Sequence, residues 1–258
     1  MLEARGVSVV YGRAVAVRNA DLRLEAGEWL MLLGPNGAGK TSLLSALAQT
    51  AAYTGSVLVD GQDARRMSPR AFARQVGVLK QCHGDPYDFP VRDVVALGRY
   101  AHRRGLWKGS GRDDEAAVEE AMTLAGVKAL ADRGLAGLSG GERQRVYLAQ
   151  VLAQQPRILL LDEPANHLDI LSQFQMLDII GRWLRGGERA AVSVVHDLSL
   201  ALRYGTRAAL MGEGTIAATG CAAELMGSPL AERLFGMDVR ARMLELLRAW
   251  ENIPAETA

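Results

Sequence analysis

The sequence predicts an α/β fold in which a parallel-sheet core carries an antiparallel β lobe and an inserted all-helical lobe. Three observations lead there. Short continuous apolar runs at 29–33, 158–161 and 190–195 have the length and composition of buried strands. A glycine-rich loop at 34–41 joins the first run to a helical pattern. A long stretch, about 90–153, is helical apart from an interruption at 137–141, so strand and helix alternate on both sides of a helical insertion.

In chain order, residues 6–33 alternate or run apolar between turn signals at Gly12 and Gly27 and read as strands. Residues 40–49 are helical. A second strand-rich stretch covers 56–79, with Asp60-Gly61 as a hairpin turn. Pro156 closes the helical lobe, the strand at 190–195 precedes His196, and the tail from about 222 is mostly helical. This divides one domain into a core with its β lobe (1–85 and 156–220), a helical lobe (86–155) and a helical tail (221–258).

A length of 258 residues suits one large domain with an inserted lobe, and 49% apolar residues supply its core. Thirty basic against 29 acidic residues leave a net charge of +1, so no global field points to nucleic acid. Cys82 and Cys221 lie far apart without CxxC spacing, which excludes a disulfide scaffold and gives no zinc signature; both read as reduced thiols. Glu3 and Arg5 stand where a signal peptide needs apolar residues, and no window approaches the roughly 18 that a membrane span requires. The expectation is a soluble chain whose membrane role, if any, runs through a partner.

The strongest motif is Gly34-Pro35-Asn36-Gly37-Ala38-Gly39-Lys40-Thr41, followed by Ser42, a full match to GxxxxGK[ST] between an apolar strand and a helix. The glycines let successive N–H groups turn inward toward phosphate oxygens, and the helix start adds free N–H groups and its dipole. Lys40 is placed to reach β- and γ-phosphates, and the Thr41 hydroxyl to ligate Mg²⁺. The strand at 158–161 ends in Asp162-Glu163 at the sheet edge where such a loop opens. Asp162 is expected to hold Mg²⁺ through water, and Glu163 to polarise the attacking water as general base. Together these residues define a site for a nucleoside triphosphate and Mg²⁺.

Leu138-Ser139-Gly140-Gly141-Glu142-Arg143-Gln144 resembles the signature motif of the ABC-type ATPases. In that family Ser139, Gly140 and Gly141 would meet the γ-phosphate bound by the opposite subunit, which implies a head-to-tail homodimer around two ATP molecules. The remaining family motifs stand in order. Tyr11 looks like the aromatic that stacks on adenine. Gln81, at the end of the strand 76–80, matches the glutamine that touches Mg²⁺ and the attacking water. Asn166-His167-Leu168-Asp169 matches the loop that crosses to the partner, and His196 the histidine that contacts the γ-phosphate. The resemblance implies a RecA-like phosphate-loop core and covers the chain to about residue 220. Ala165 departs from it, standing where many relatives carry Thr or Ser.

The stretch Phe89-Pro90-Val91-Arg92-Asp93-Val94-Val95-Ala96-Leu97-Gly98-Arg99-Tyr100 is similar to the ATPases of iron–siderophore, haem and vitamin B12 importers. That resemblance implies ATP hydrolysis on the cytoplasmic face of the plasma membrane, peripheral to integral-membrane permease subunits, with a substrate-binding protein in the full system and no nucleic acid. Arg99, His102, Arg103, Arg104, Lys108 and Arg112 form an acid-free segment, expected to be a solvated basic loop or to lie near anionic headgroups. The alternative is a soluble ATPase of the same superfamily acting on ribosomes or nucleic acid. Such factors usually join two ATPase units through a charged linker, and neither feature is present in this sequence.

Overall fold

The computed structural model describes residues 1–80, 88–102 and 111–251. In chain order its elements are β1 (Leu2–Tyr11), β2 (Ala14–Leu24), β3 (Trp29–Leu33), α1 (Lys40–Leu47), β4 (Thr54–Val59), β5 (Gln62–Asp63), α2 (Pro69–Gln75) and β6 (Val76–Leu79). The helices α3 (Val91–Ala96), α4 (Arg112–Leu124) and α5 (Gly140–Ala153) follow. The chain then forms β7 (Ile158–Asp162), α6 (Ile170–Leu184), β8 (Ala190–Val194), α7 (Leu198–Tyr204), β9 (Arg207–Gly212) and β10 (Thr215–Gly220). It ends in α8 (Ala222–Met226), α9 (Pro229–Phe235) and α10 (Val239–Glu251).

Two sheets result, a four-stranded antiparallel one ordered β2-β1-β4-β5 and a six-stranded one ordered β10-β9-β3-β8-β7-β6. The larger is parallel from β9 to β6. Those five strands are buried on both faces, which is why they are apolar runs rather than alternating ones. Leu30, Leu32, Leu160, Val192 and Val194 face α1 and the antiparallel sheet, while Trp29, Met31, Leu33, Leu159 and Leu161 face the second core cluster, which includes the helical lobe. Ser193, the one buried polar strand residue among the described residues, accepts a hydrogen bond from Trp29 Nε1 at 2.8 Å, so its burial leaves no unpaired hydroxyl oxygen.

The predicted α/β layout holds, with four local differences. The strand-rich stretch 56–79 contains α2, started by the Ser68 side chain accepting from Ala71 N and by Pro69 at the first helical position. Strand β1 begins at Leu2, earlier than expected, pairing with both β2 and β4. Strand β10 is an antiparallel edge on the otherwise parallel sheet. The Asp60-Gly61 turn is as expected, with φ of 47° and 80° at its central residues.

Arg99 is the fourth difference. It belongs not to a solvated basic loop but to the interior of the helical lobe, 5% exposed. Its Nε donates to Asp114 Oδ1 at 2.7 Å, and its Nη1 donates to Ala153 O at 2.8 Å and to Gln155 Oε1 at 2.9 Å. His102 Nε2 also faces Gln154 O at 2.9 Å, and Arg112 is exposed at the start of α4, whereas Arg103, Arg104 and Lys108 lie outside the described residues. Removing one member of a buried ion pair strands the other, so Arg99→Ala is expected to cost about 3 kcal/mol in urea unfolding. A cost below about 1 kcal/mol would show that this pair does not hold the lobe together. Cys221 is exposed and unpaired, and Cys82 lies outside the described residues.

Candidate nucleotide site

The glycine-rich loop leaves β3 with backbone shapes that only its sequence permits. Gly34 has φ 148° and Gly39 φ 94°, and a Cβ on either would strike a carbonyl oxygen, that of Met211 or of Ala16. Both glycines are therefore fixed by conformation and by close backbone approach. Lys40, at the start of α1, is 5% exposed. Its Nζ donates to Gly34 O at 2.7 Å and Pro35 O at 2.9 Å, which stretches the side chain across the loop. Burial lowers the Lys40 pKa, while the charges of Glu163 and Asp162 oppose that shift.

The acidic pair arrives at the end of β7, which lies one strand beyond β8 from β3. Thr41 Oγ1 donates to Asp162 Oδ1 at 3.1 Å. Burial raises the Asp162 pKa from its ordinary value, against the Thr41 hydrogen bond, and the charge of Glu163 adds to the rise. Glu163 sits in the left-handed region at φ 51°, a turn costing about 1 kcal/mol or more in a non-glycine residue. Its Oε1 lies 2.6 Å from His196 Nε2, and its Oε2 accepts from Asn166 Nδ2 at 2.5 Å. Burial pushes the Glu163 pKa up, but the hydrogen bonds from His196 and Asn166, with the His196 and Lys40 charges, outweigh it and leave the pKa lowered. Glu163 is thus an ionised acceptor with both oxygens engaged.

Asn36, Gly37, Ala38, Gly39, Lys40, Thr41 and Ser42 line a cleft of about 230 Å³ with Glu163 and His196. Gly34 and Pro35 close its base through their carbonyls to Lys40. Two further contributors escaped sequence reasoning. Ala16, on β2, lines the same cleft, and nothing in its local sequence signals this. Asn166, which the sequence places only in a crossing loop, donates to Glu163 and accepts from His167 N at 3.0 Å. Its spacing three residues after Glu163 was the available signal.

Other predicted residues do not join the cleft. Ser139 caps α5 in a reciprocal box with Glu142, its N–H donating to Glu142 Oε2 at 2.9 Å and its Oγ accepting from Glu142 N at 3.3 Å. Gly140 and Gly141 open the same helix, and a Cβ on Gly141 would strike Ser172 Oγ. Asp169 caps α6, accepting from Ser172 N at 3.0 Å and Ser172 Oγ at 2.7 Å. Tyr11 ends β1, 53% exposed. Gln81 lies outside the described residues.

The family described as ABC transporter matches residues 17–166. An uncharacterized ABC transporter ATP-binding protein of Bacillus subtilis is 45% identical over 83% of this chain, which spans only 49% of that relative's length. The hemin import ATP-binding protein of Myxococcus xanthus is 40% identical, over 93% of this chain and 91% of its own. The ferric enterobactin transport ATP-binding protein of Escherichia coli is 36% identical, over 92% and 87%. The crystal structure of a nucleotide-free ATP-binding cassette from an ABC transporter superposes with a TM-score of 0.81 at 16% identity, over 91% of this chain and 98% of that one, and so shares its fold. The chain belongs to the ABC transporter family, among its ATP-binding proteins.

Proposed function

We propose that this protein is the ATP-hydrolysing subunit of an importer for an iron–siderophore, haem or cobalamin-type substrate. It works as a head-to-tail homodimer on the cytoplasmic face of the plasma membrane, bound to integral-membrane permease subunits that a substrate-binding protein serves. The names of the Myxococcus xanthus and Escherichia coli relatives support the substrate class. They do not favour the ribosome- or nucleic-acid-acting alternative. Among the described residues no helix is long and apolar enough to cross a membrane, consistent with a peripheral subunit.

In this reading the loop residues 34–42 and Lys40 bind the phosphates, and Tyr11 stacks on adenine. Thr41 and Asp162 hold Mg²⁺, with Gln81 contributing. Their all-oxygen donors suit that hard cation, and the buried Asp162 carboxylate favours a counter-charge beside it. Bound Mg²⁺ would neutralise phosphate charge. Glu163 orients and polarises the attacking water. His196, within reach of the same cleft, stabilises charge on the transferring phosphoryl group. The helical lobe, 86–155, presents the signature to the partner.

One observation carries the homodimer: the cleft gathers Lys40, Thr41, Glu163 and His196, whereas Ser139, Gly140 and Gly141 do not line it. A composite site completed by a second chain accounts for that separation. Ser139→Arg tests it. The variant is expected to bind ATP as a monomer while turnover falls about 10²-fold or more, the scale of a lost transition-state donor. Mixed dimers of Ser139→Arg with Lys40→Ala subunits confine both lesions to one composite site. Activity no higher than in either homodimer would count against shared sites, and normal turnover by Ser139→Arg alone would exclude them.

A further inference from the structure

We infer that a second anion site, separate from the nucleotide cleft and not required by the proposed transport role, lies between the helical lobe and the core. Its ligand class is a phosphorylated small molecule. A groove of about 520 Å³ runs between the segment after α4 and the outer face of α6, within the size range of small-molecule sites. Arg145, Arg182 and Arg185 line it, against a single carboxylate, Asp178, whose Oδ1 already accepts from Tyr204 OH at 2.8 Å. Among the described residues none of these arginines forms an ion pair.

The guanidinium groups are instead aimed by neutral partners. Arg145 Nη1 donates to Gln175 Oε1 at 2.8 Å, and Arg182 Nη2 donates to Leu124 O at 3.3 Å. Arg185 Nη1 lies 3.9 Å from where a Cβ on Gly181 would stand, so its head folds back over the groove wall. Each guanidinium carries five N–H donors in a planar fork, and most of these find no acceptor among the described residues. Three cations facing one carboxylate leave a net positive charge in the groove, and a phosphate group satisfies both that charge and the fork geometry. Gly181 and Gly126 allow close approach to backbone, and Ile179 with the Tyr204 ring supplies apolar wall for an organic moiety.

Position gives the groove a consequence. Arg145 lies one turn after Gly141 on α5, and its Nη1 is 3.7 Å from where a Gly141 Cβ would be. The same guanidinium therefore stands beside the helix start that carries Ser139 and lines the groove. An anion held between Arg145 on the helical lobe and Arg182 and Arg185 on the core would fix the angle between the two.

Inorganic tripolyphosphate is the probe, used on the full-length Lys40→Ala protein so that the nucleotide loop contributes little. Calorimetry is expected to show binding that weakens at least tenfold in Lys40→Ala/Arg182→Ala/Arg185→Ala, the effect of losing charge-assisted contacts. A charge-matched control, Lys40→Ala/Arg240→Ala/Arg248→Ala, should bind as Lys40→Ala does, with circular dichroism confirming that all three fold. Equal weakening in the control, no difference among the variants, or no binding by Lys40→Ala would each overturn the site. Equally tight binding of hexaglutamate would overturn the phosphate class in favour of an acidic peptide.

Discussion

Lys40→Ala is expected to abolish ATP hydrolysis and weaken nucleotide binding while leaving the fold intact. The wild-type ammonium is 5% exposed and spans the loop to the Gly34 and Pro35 carbonyls. Burial disfavours its charge, and Glu163 and Asp162 offset part of that penalty. A buried cation aimed along a loop of N–H groups serves a polyanion better than it serves the empty protein. Losing one charge-assisted contact costs about 1.5–3 kcal/mol, or about 10- to 100-fold in affinity. Turnover should fall further, by about 10³-fold or more, because phosphoryl charge peaks in the transition state. Calorimetric ATP titration, steady-state phosphate release and a thermal melt separate the effects. Near-normal turnover in a folded variant would show that the loop is not the catalytic site.

What the sequence made legible was chemistry written in consecutive residues. Gly34 and Gly39 announce a loop because their backbone angles and their close approach to Met211 and Ala16 exclude other side chains. Asp162 and Glu163 follow an apolar run because β7 is buried between β6 and β8 and its end meets the loop. Contacts made by tertiary packing were not legible. Arg99 sits in an acid-free stretch, and its carboxylate, Asp114, belongs to the next helix, so composition alone suggested solvation. Ala16 reaches the cleft only because β2 crosses near Gly39. The direction of β10 follows from a tight turn at Glu213-Gly214, φ 49° and 79°, where a glutamate stands in place of the Asn or Asp that marks such hairpins. The α2 start was readable in Ser68-Pro69 but was overridden by the apolar residues on either side.

Glu163→Gln is expected to separate chemistry from binding. Hydrolysis should fall by about 10²–10⁴-fold, the usual contribution of a general base, while ATP affinity survives through Lys40, Thr41, Asp162 and the loop amides. The fold should tolerate the change. The glutamine oxygen can accept from Asn166 Nδ2 as Glu163 Oε2 does, and its NH₂ can donate to His196 Nε2 in the tautomer that accepts. What disappears is the negative charge. The wild-type carboxylate has a lowered pKa and is ionised at neutral pH, so in the proposed mechanism it would repel bound γ-phosphate as well as polarise water. Removing it should favour the closed state, and the variant should accumulate as an ATP-bound dimer, most clearly with permease present. Light scattering on a sizing column, with and without Mg²⁺-ATP, reads the dimer, and single-turnover hydrolysis reads the chemistry. Loss of ATP affinity together with turnover would make Glu163 a binding or structural residue. Retained turnover would move the base elsewhere, and His196, 2.6 Å away, is the next candidate.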